Sequence, residues 1–146
     1  HPATEEGLPG IRVASGSLGQ GLSVAIGMAL SKRLNGDDHW TYVLMGDGEL
    51  QEGQCWEAAM FAPHHKVGKL IGIVDWNGQQ IDGPNDEVMS LGDLEGKWKA
   101  FGWTVYEIDG HNLRMNLNYT TGDANLTGVK APEDIDTILF GLQYQI

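Results

Sequence analysis

Residues 40–45 (WTYVLM), 70–74 (LIGIV) and 103–108 (WTVYEI) are short, apolar-rich runs of the kind that form strands in a covered sheet. Between and before them the pattern changes period. Ser17 and Gln20 stand at capping-box spacing, small and apolar residues continue to Leu34, and Asn35-Gly36 follows as a stop signal, which predicts a helix over 17–34. Gly19, Gly21, Ala25, Gly27 and Ala29 leave one flank of that helix nearly bare, so a close-packed neighbour is expected there. A second helix is predicted over 52–62, closed by Pro63, and a third around 94–101. Residues 1–15, with Pro2 and Pro9, read as loop. Strand, helix, strand, helix, strand implies right-handed parallel crossovers: an α/β fold, a parallel sheet with helices on both faces.

From Asn112 the pattern changes class. Leu113, Met115, Leu117 and Tyr119 alternate with polar residues, and so do Ile138, Phe140, Leu142, Tyr144 and Ile146. Two period-2 strands joined by a polar loop predict a C-terminal antiparallel β-hairpin over 112–146 with little contact to the α/β body. The expected division is therefore 1–111 for the α/β domain and 112–146 for the hairpin tail.

Composition narrows the function classes. The 146 residues suffice for one domain that buries roughly two thirds of its unfolded surface. A formal net charge of −11, with no Lys/Arg cluster, argues against nucleic acid as a partner. Cys55 is the only cysteine, which excludes an internal disulfide and favours a reducing, cytoplasmic setting. No run reaches the roughly 20 apolar residues of a membrane helix, and no signal peptide opens the chain, so no membrane partner is expected for 1–111. The chain begins at His1 with no Met, and a missing beginning is expected.

The chemistry concentrates where strands end. Gly46-Asp47-Gly48 follows the first strand and Asp75-Trp76-Asn77 follows the second, with 28 residues between Gly48 and Asn77. That separation fits one helix and its return strand. Parallel strands would then bring Asp47 and Asn77 to one sheet edge, where open α/β sheets bind ligands. A carboxylate, an amide oxygen and a backbone carbonyl are hard donors suited to Mg²⁺ or Ca²⁺, and Mg²⁺ completes its octahedron with phosphate oxygens and water. Glycines beside Asp47 let backbone N–H groups approach an anion. Ser15–Gly21 (SGSLGQG) is a second candidate cradle. The combined reading is a diphosphate bound through Mg²⁺. Plainer readings exist for each part: Gly-Asp-Gly as a tight turn, SGSLGQG as close helix packing, and Glu52 and Glu57 as solvated acids near a helix start. Cys55 reads as a small core residue and the five tryptophans as packing, with Trp76 at the border of the site.

At this point a family resemblance emerges. GDGELQEG (46–53) followed at that spacing by DWNGQQIDG (75–83) resembles the thiamine diphosphate motif in its transketolase form. GSLGQGLSVAIGMAL, WEAAMFA, KWKAFGW and IDGH also look like a transketolase N-terminal domain, or the N-terminal subunit of a split transketolase, over about residues 1–111. The resemblance implies that Asp47, the Asn77 side chain and the Gln79 carbonyl hold Mg²⁺. It implies that Gly48 and Asn77 touch the diphosphate, that Gly16, Ser17 and Leu18 line the cofactor and that Ile81 packs nearby. His1 resembles a histidine near the reacting carbons, and Glu52 and Glu57 resemble acids at a dimer interface. Ser17 stands where many relatives carry proline, a change seen in the split type.

The implied activity is transfer of a two-carbon ketol unit from a ketose phosphate to an aldose phosphate, in the pentose phosphate pathway. The implied partner is a pyrimidine-binding domain or C-terminal subunit, in a homodimer or heterotetramer. That partner would supply the glutamate that activates the cofactor, so this chain alone is expected to be inactive. The alternatives are another thiamine diphosphate enzyme (a deoxyxylulose-phosphate synthase or a 2-oxo-acid dehydrogenase component) and a non-catalytic interaction module. Residues 112–146 do not match the family pattern and resemble a porin C-terminal hairpin. A fused or misassembled reading frame is the expected origin, with a natural hairpin covering the sheet edge as the alternative.

Overall fold

The computed structural model describes residues 9–110 and 113–119. Helix α1, Gln20–Leu34, starts three residues later than the capping box predicts. Gly19 precedes its first turn at φ 83°, a left-handed conformation that favours glycine, and no side chain caps the helix. The Gly19 N–H is instead taken by the Glu49 carboxylate at 2.9 Å. Leu22, Ala25, Ile26 and Ala29 form the buried stripe of α1. Its end falls at the predicted stop, where the Asn35 side-chain amide donates to Ser31 O at 2.9 Å.

Strands β1, Thr41–Gly46, and β2, Leu70–Asp75, pair in parallel from Thr41↔Leu70 to Gly46↔Asp75. Helix α2, Gly53–His64, links them and includes Pro63 in its last turn rather than stopping before it. A proline lacks the N–H that would reach the carbonyl four residues earlier. Here that carbonyl, Ala59 O, accepts the Trp103 indole N–H at 2.8 Å, so the missing bond is replaced by a tertiary one.

After β2 come a short hairpin of β3, Gln79–Gln80, and β4, Gly83–Pro84, then α3, Asn85–Val88, and α4, Leu94–Ala100. The Asp93 carboxylate accepts the Gly96 N–H at 2.8 Å and caps α4. Strand β5, Thr104–Gly110, and β6, Leu113–Tyr119, complete a sheet ordered β1-β2-β6-β5.

Two expectations change. β6 is a strand, as its alternation predicts, but it lies antiparallel between β2 and β5 instead of standing apart from the body. The outer edge of β2 has no other strand among the described residues, and an extended segment that satisfies both flanking edges is favoured there. The second strand expected in the tail lies outside the described residues. The sheet is therefore mixed, with β1–β2 as its parallel pair.

Helices, moreover, cover one face among the described residues rather than two. Val43, Met45, Leu70 and Val74 pack with Leu22, Ala59, Leu94, Trp98 and Trp103 in a single core. On the opposite face Tyr42 and Leu44 of β1 are half exposed, while Ile71 and Ile73, their register partners on β2, are buried. Among the described residues no helix is long and apolar enough to cross a membrane. Because β6 bridges β2 and β5, deleting 112–146 should lower the melting temperature of the remainder by roughly 5 °C or more in a calorimetric scan.

Candidate functional site

The carboxyl ends of β1 and β2 stand side by side, and the Asp47 N–H donates to Asp75 O at 3.1 Å. Asp47 and Asn77 thus emerge at one sheet edge. Asp47 is fully buried. Its carboxylate accepts the Gly48 N–H at 2.8 Å on one oxygen and the Gly78 N–H at 2.7 Å on the other. An ionised carboxylate offers about four lone-pair sites, so two backbone donors leave acceptor capacity for a cation. Asn77 Oδ1 accepts the Gln79 N–H at 2.8 Å, and its Nδ2 donates to Asp75 Oδ2 at 3.3 Å. These two bonds agree on which end of the amide is oxygen.

Two side chains that the sequence reading did not single out join the glycine-rich segments. Glu49 accepts the Gly19 N–H on Oε1 and the Gly46 N–H on Oε2, at 2.9 and 3.3 Å. Gln54 donates from Nε2 to Leu18 O at 3.0 Å. A Cβ on Gly19 would stand 2.7 Å from the Gln54 side chain, so the loop rests directly on this amide. Gly16, Ser17 and Leu18 are thereby held on the same side as the strand-end loop, with all three exposed. Ile81, between β3 and β4, is 98% exposed, an unusual setting for so apolar a residue.

A cavity of about 340 Å³ opens beside Asn77, lined by Trp76, Gly78, Asn85, Asp86, Leu91 and Gly92. Trp76 borders it, as the sequence suggested; Trp98 and Trp103 are core. Among the described residues, four of the six buried side-chain polar atoms without a partner belong to Asp75, Gln80 and Asn85. Buried polar groups are normally paired, so this concentration marks a place shaped for a polar ligand. Gly48 supports the same conclusion: a Cβ there would stand 2.7 Å from Gln80 Cβ and 3.5 Å from Asn85 Oδ1. Among the described residues no three His, Cys, Asp or Glu side chains cluster to hold a metal. A cation placed here would meet the Asp47 carboxylate and the Asn77 amide oxygen, hard and sparse donors of the kind that suit Mg²⁺ or Ca²⁺. The residues fit a metal–diphosphate group.

Of the three residues read as catalytic, the two described ones, Glu52 and Glu57, do not line this cavity. Glu52 is exposed at the start of α2 and caps nothing with its side chain. Glu57 is exposed about one turn into α2, near the exposed Met60 and Phe61. His1 lies outside the described residues. Cys55 is a core residue, its thiol pushed up to about 12 by burial and by the nearby Glu49 and Glu52 carboxylates, which keeps it protonated and inert at neutral pH.

A buried carboxylate and an oriented amide at the ends of parallel strands, flanked by glycine loops, define an α/β domain of the type that binds a ligand at its strand edge. Comparison with known proteins gives the family. The model of the transketolase thiamine diphosphate-binding domain matches residues 1–128, and the chain belongs to that family. The match runs past residue 111, where the sequence likeness was expected to end.

Among curated relatives, one of the subunits of the apulose-4-phosphate transketolase of Phocaeicola vulgatus is 48% identical over 132 residues, covering 86% of this chain and 46% of its own. A 6-deoxy-6-sulfo-D-fructose transketolase subunit of Clostridium sp. is 52% identical over 103 residues, covering 70% of this chain and 38% of its own. The chain thus spans less than half the length of these relatives. Among solved structures, a Pichia stipitis transketolase superposes with a TM-score of 0.62 at 36% identity, covering 68% of this chain and 16% of that one. The fold is transketolase-like α/β, with a parallel strand pair and helices.

Proposed function

We propose that this chain is the diphosphate- and Mg²⁺-holding part of a split transketolase, incomplete without a partner subunit. The observation that carries the reading is the buried Asp47 carboxylate beside Asn77 at the parallel strand ends, next to the unpaired polar atoms of Asp75, Gln80 and Asn85. Asp47, Asn77 Oδ1 and the Gln79 carbonyl hold the cation. The Gly48 backbone and Asn77 meet the diphosphate. Gly16, Ser17 and Leu18 line the cofactor, and its organic part covers the exposed apolar surfaces of Leu18 and Ile81. Thiamine diphosphate, when bound, supplies the electron sink that lets a two-carbon ketol unit leave one sugar and join another.

The net charge of −11 makes the cation necessary, because a bare diphosphate would be repelled by the chain as a whole. The exposed Glu57, Met60 and Phe61 on α2, with the exposed Glu52 just before the helix, suit an interface with a second copy or a partner subunit. For His1 the proposed role, which rests on its resemblance to a family histidine, is at the reacting carbons. The two relatives named above are named for apulose 4-phosphate and 6-deoxy-6-sulfo-D-fructose. Both are ketoses with an anionic terminus, and a ketose of that chemistry is the proposed donor here. The setting is cytoplasmic.

The test is reconstitution. Alone, the chain should show no ketol transfer, because cofactor activation by a partner's acid–base group is absent and such groups contribute about 10²- to 10⁴-fold. Mixed with a C-terminal transketolase subunit, it should transfer ketol units from an anionic ketose to an aldose phosphate. Robust transfer by the chain alone, or decarboxylation of a 2-oxo acid by the pair, would overturn the reading.

A further inference from the structure

We infer that Asn85 is an additional ligand-binding residue of the strand-end site, donating its side-chain N–H to an oxygen of the bound diphosphate. The inference rests on the metal–diphosphate reading above and extends it to a residue on a different element from Asp47 and Asn77. Asn85 is 5% exposed, yet neither Nδ2 nor Oδ1 has a hydrogen-bond partner. It lines the cavity that Asn77 and Gly78 also line. Its Oδ1 lies 3.5 Å from the point where a Cβ on Gly48 would stand, so the amide sits directly beside the glycine of the strand-end loop.

The backbone around this amide is anchored. The Asn85 N–H donates to Gly78 O at 2.9 Å and Asn85 O accepts the Met89 N–H at 2.8 Å. A buried polar atom left unpaired is costly, and Asn85 carries two such atoms on one side chain. A leucine of similar size would fill the same space without that cost. The amide is therefore explained by a ligand that fills the cavity and offers acceptors. Gln80 Nε2 is a second buried donor without a partner on the neighbouring hairpin. Two unpaired N–H₂ groups beside a carboxylate-and-amide cation site call for a molecule rich in anionic oxygen that arrives with its own metal, as a diphosphate does.

The experiment is calorimetric titration of the full chain with Mg²⁺ plus thiamine diphosphate, and separately with Mg²⁺ plus inorganic diphosphate. The native chain, Asn85→Asp, Asn85→Leu and Asp47→Asn are compared well below their melting temperatures. Asn85→Asp keeps the shape but replaces the donor with negative charge, and Asn85→Leu removes both polar atoms. Each is expected to weaken both diphosphate probes by roughly 10- to 100-fold, the range for a hydrogen bond to a charged group. The melting temperature of Asn85→Leu without ligand should be unchanged or higher. Native affinity in both Asn85 variants, with Asp47→Asn losing binding, would overturn the role of Asn85 and leave the site standing. Native affinity in Asp47→Asn would instead overturn the metal–diphosphate reading itself. A lowered melting temperature in Asn85→Leu with undiminished affinity would make Asn85 a purely structural amide.

Discussion

Replacing Asp47 with Asn should reduce Mg²⁺-dependent binding of thiamine diphosphate by about 100-fold or more, as read by calorimetry. The side chain is fully buried at the junction of the two strand ends, and its charge is the one carboxylate in the proposed cation set. Asn preserves the volume but removes the charge. It also turns one carboxylate oxygen into a donor that must face either the Gly48 or the Gly78 N–H, because both oxygens now accept a backbone bond. That donor–donor conflict costs about 1–3 kcal/mol, so a lower melting temperature accompanies the lost binding. The same two bonds mean that Asp47→Ala is not a clean deletion of a ligand, since it orphans both glycine N–H groups. Binding should therefore be compared at temperatures where the variants are folded. Undiminished affinity in folded Asp47→Asn would show that the cation is held elsewhere.

Gly48→Ala should damage the site by steric displacement. Its Cβ would stand 2.7 Å from Gln80 Cβ, an atom next to the backbone that cannot swing aside as the end of a long side chain can. The β3–β4 hairpin must then move away from the strand-end loop, carrying Gln79 and Ile81 with it. Overpacking of this kind costs about 1–3 kcal/mol. Cofactor affinity should fall as well, because Gln79, the proposed carbonyl ligand, moves with the hairpin. Gly53→Ala is the control, since nothing lies within 4 Å of its added Cβ and no loss of stability or affinity is expected. If Gly48→Ala melts and binds like the native chain, the hairpin does not close on Gly48 as described.

The parallel pair β1–β2 and the meeting of Asp47 with Asn77 were legible in the sequence, because each apolar run ends directly in its polar motif. Element ends were less legible where a tertiary contact replaced a local one. α1 begins at Gln20 because Glu49, a residue of the next loop, takes the Gly19 N–H. α2 passes through Pro63 because Trp103, forty residues later, occupies the carbonyl that proline leaves free. Glu49 could have been suspected from its place two residues beyond Asp47. Asn85 could not, since a polar residue after Gly-Pro reads as an ordinary turn until its burial is seen. The alternation of 113–119 correctly indicated a strand but not its neighbours, because period-2 patterning specifies faces and says nothing of which edges are open.

The central claim is that the strand ends bind a diphosphate through a divalent cation, and the most direct measurement is a calorimetric titration of the native chain with thiamine diphosphate. One arm contains Mg²⁺ and the other contains EDTA. Saturable binding in Mg²⁺ that disappears in EDTA is the predicted result; equal binding in both arms, or none in either, would contradict it.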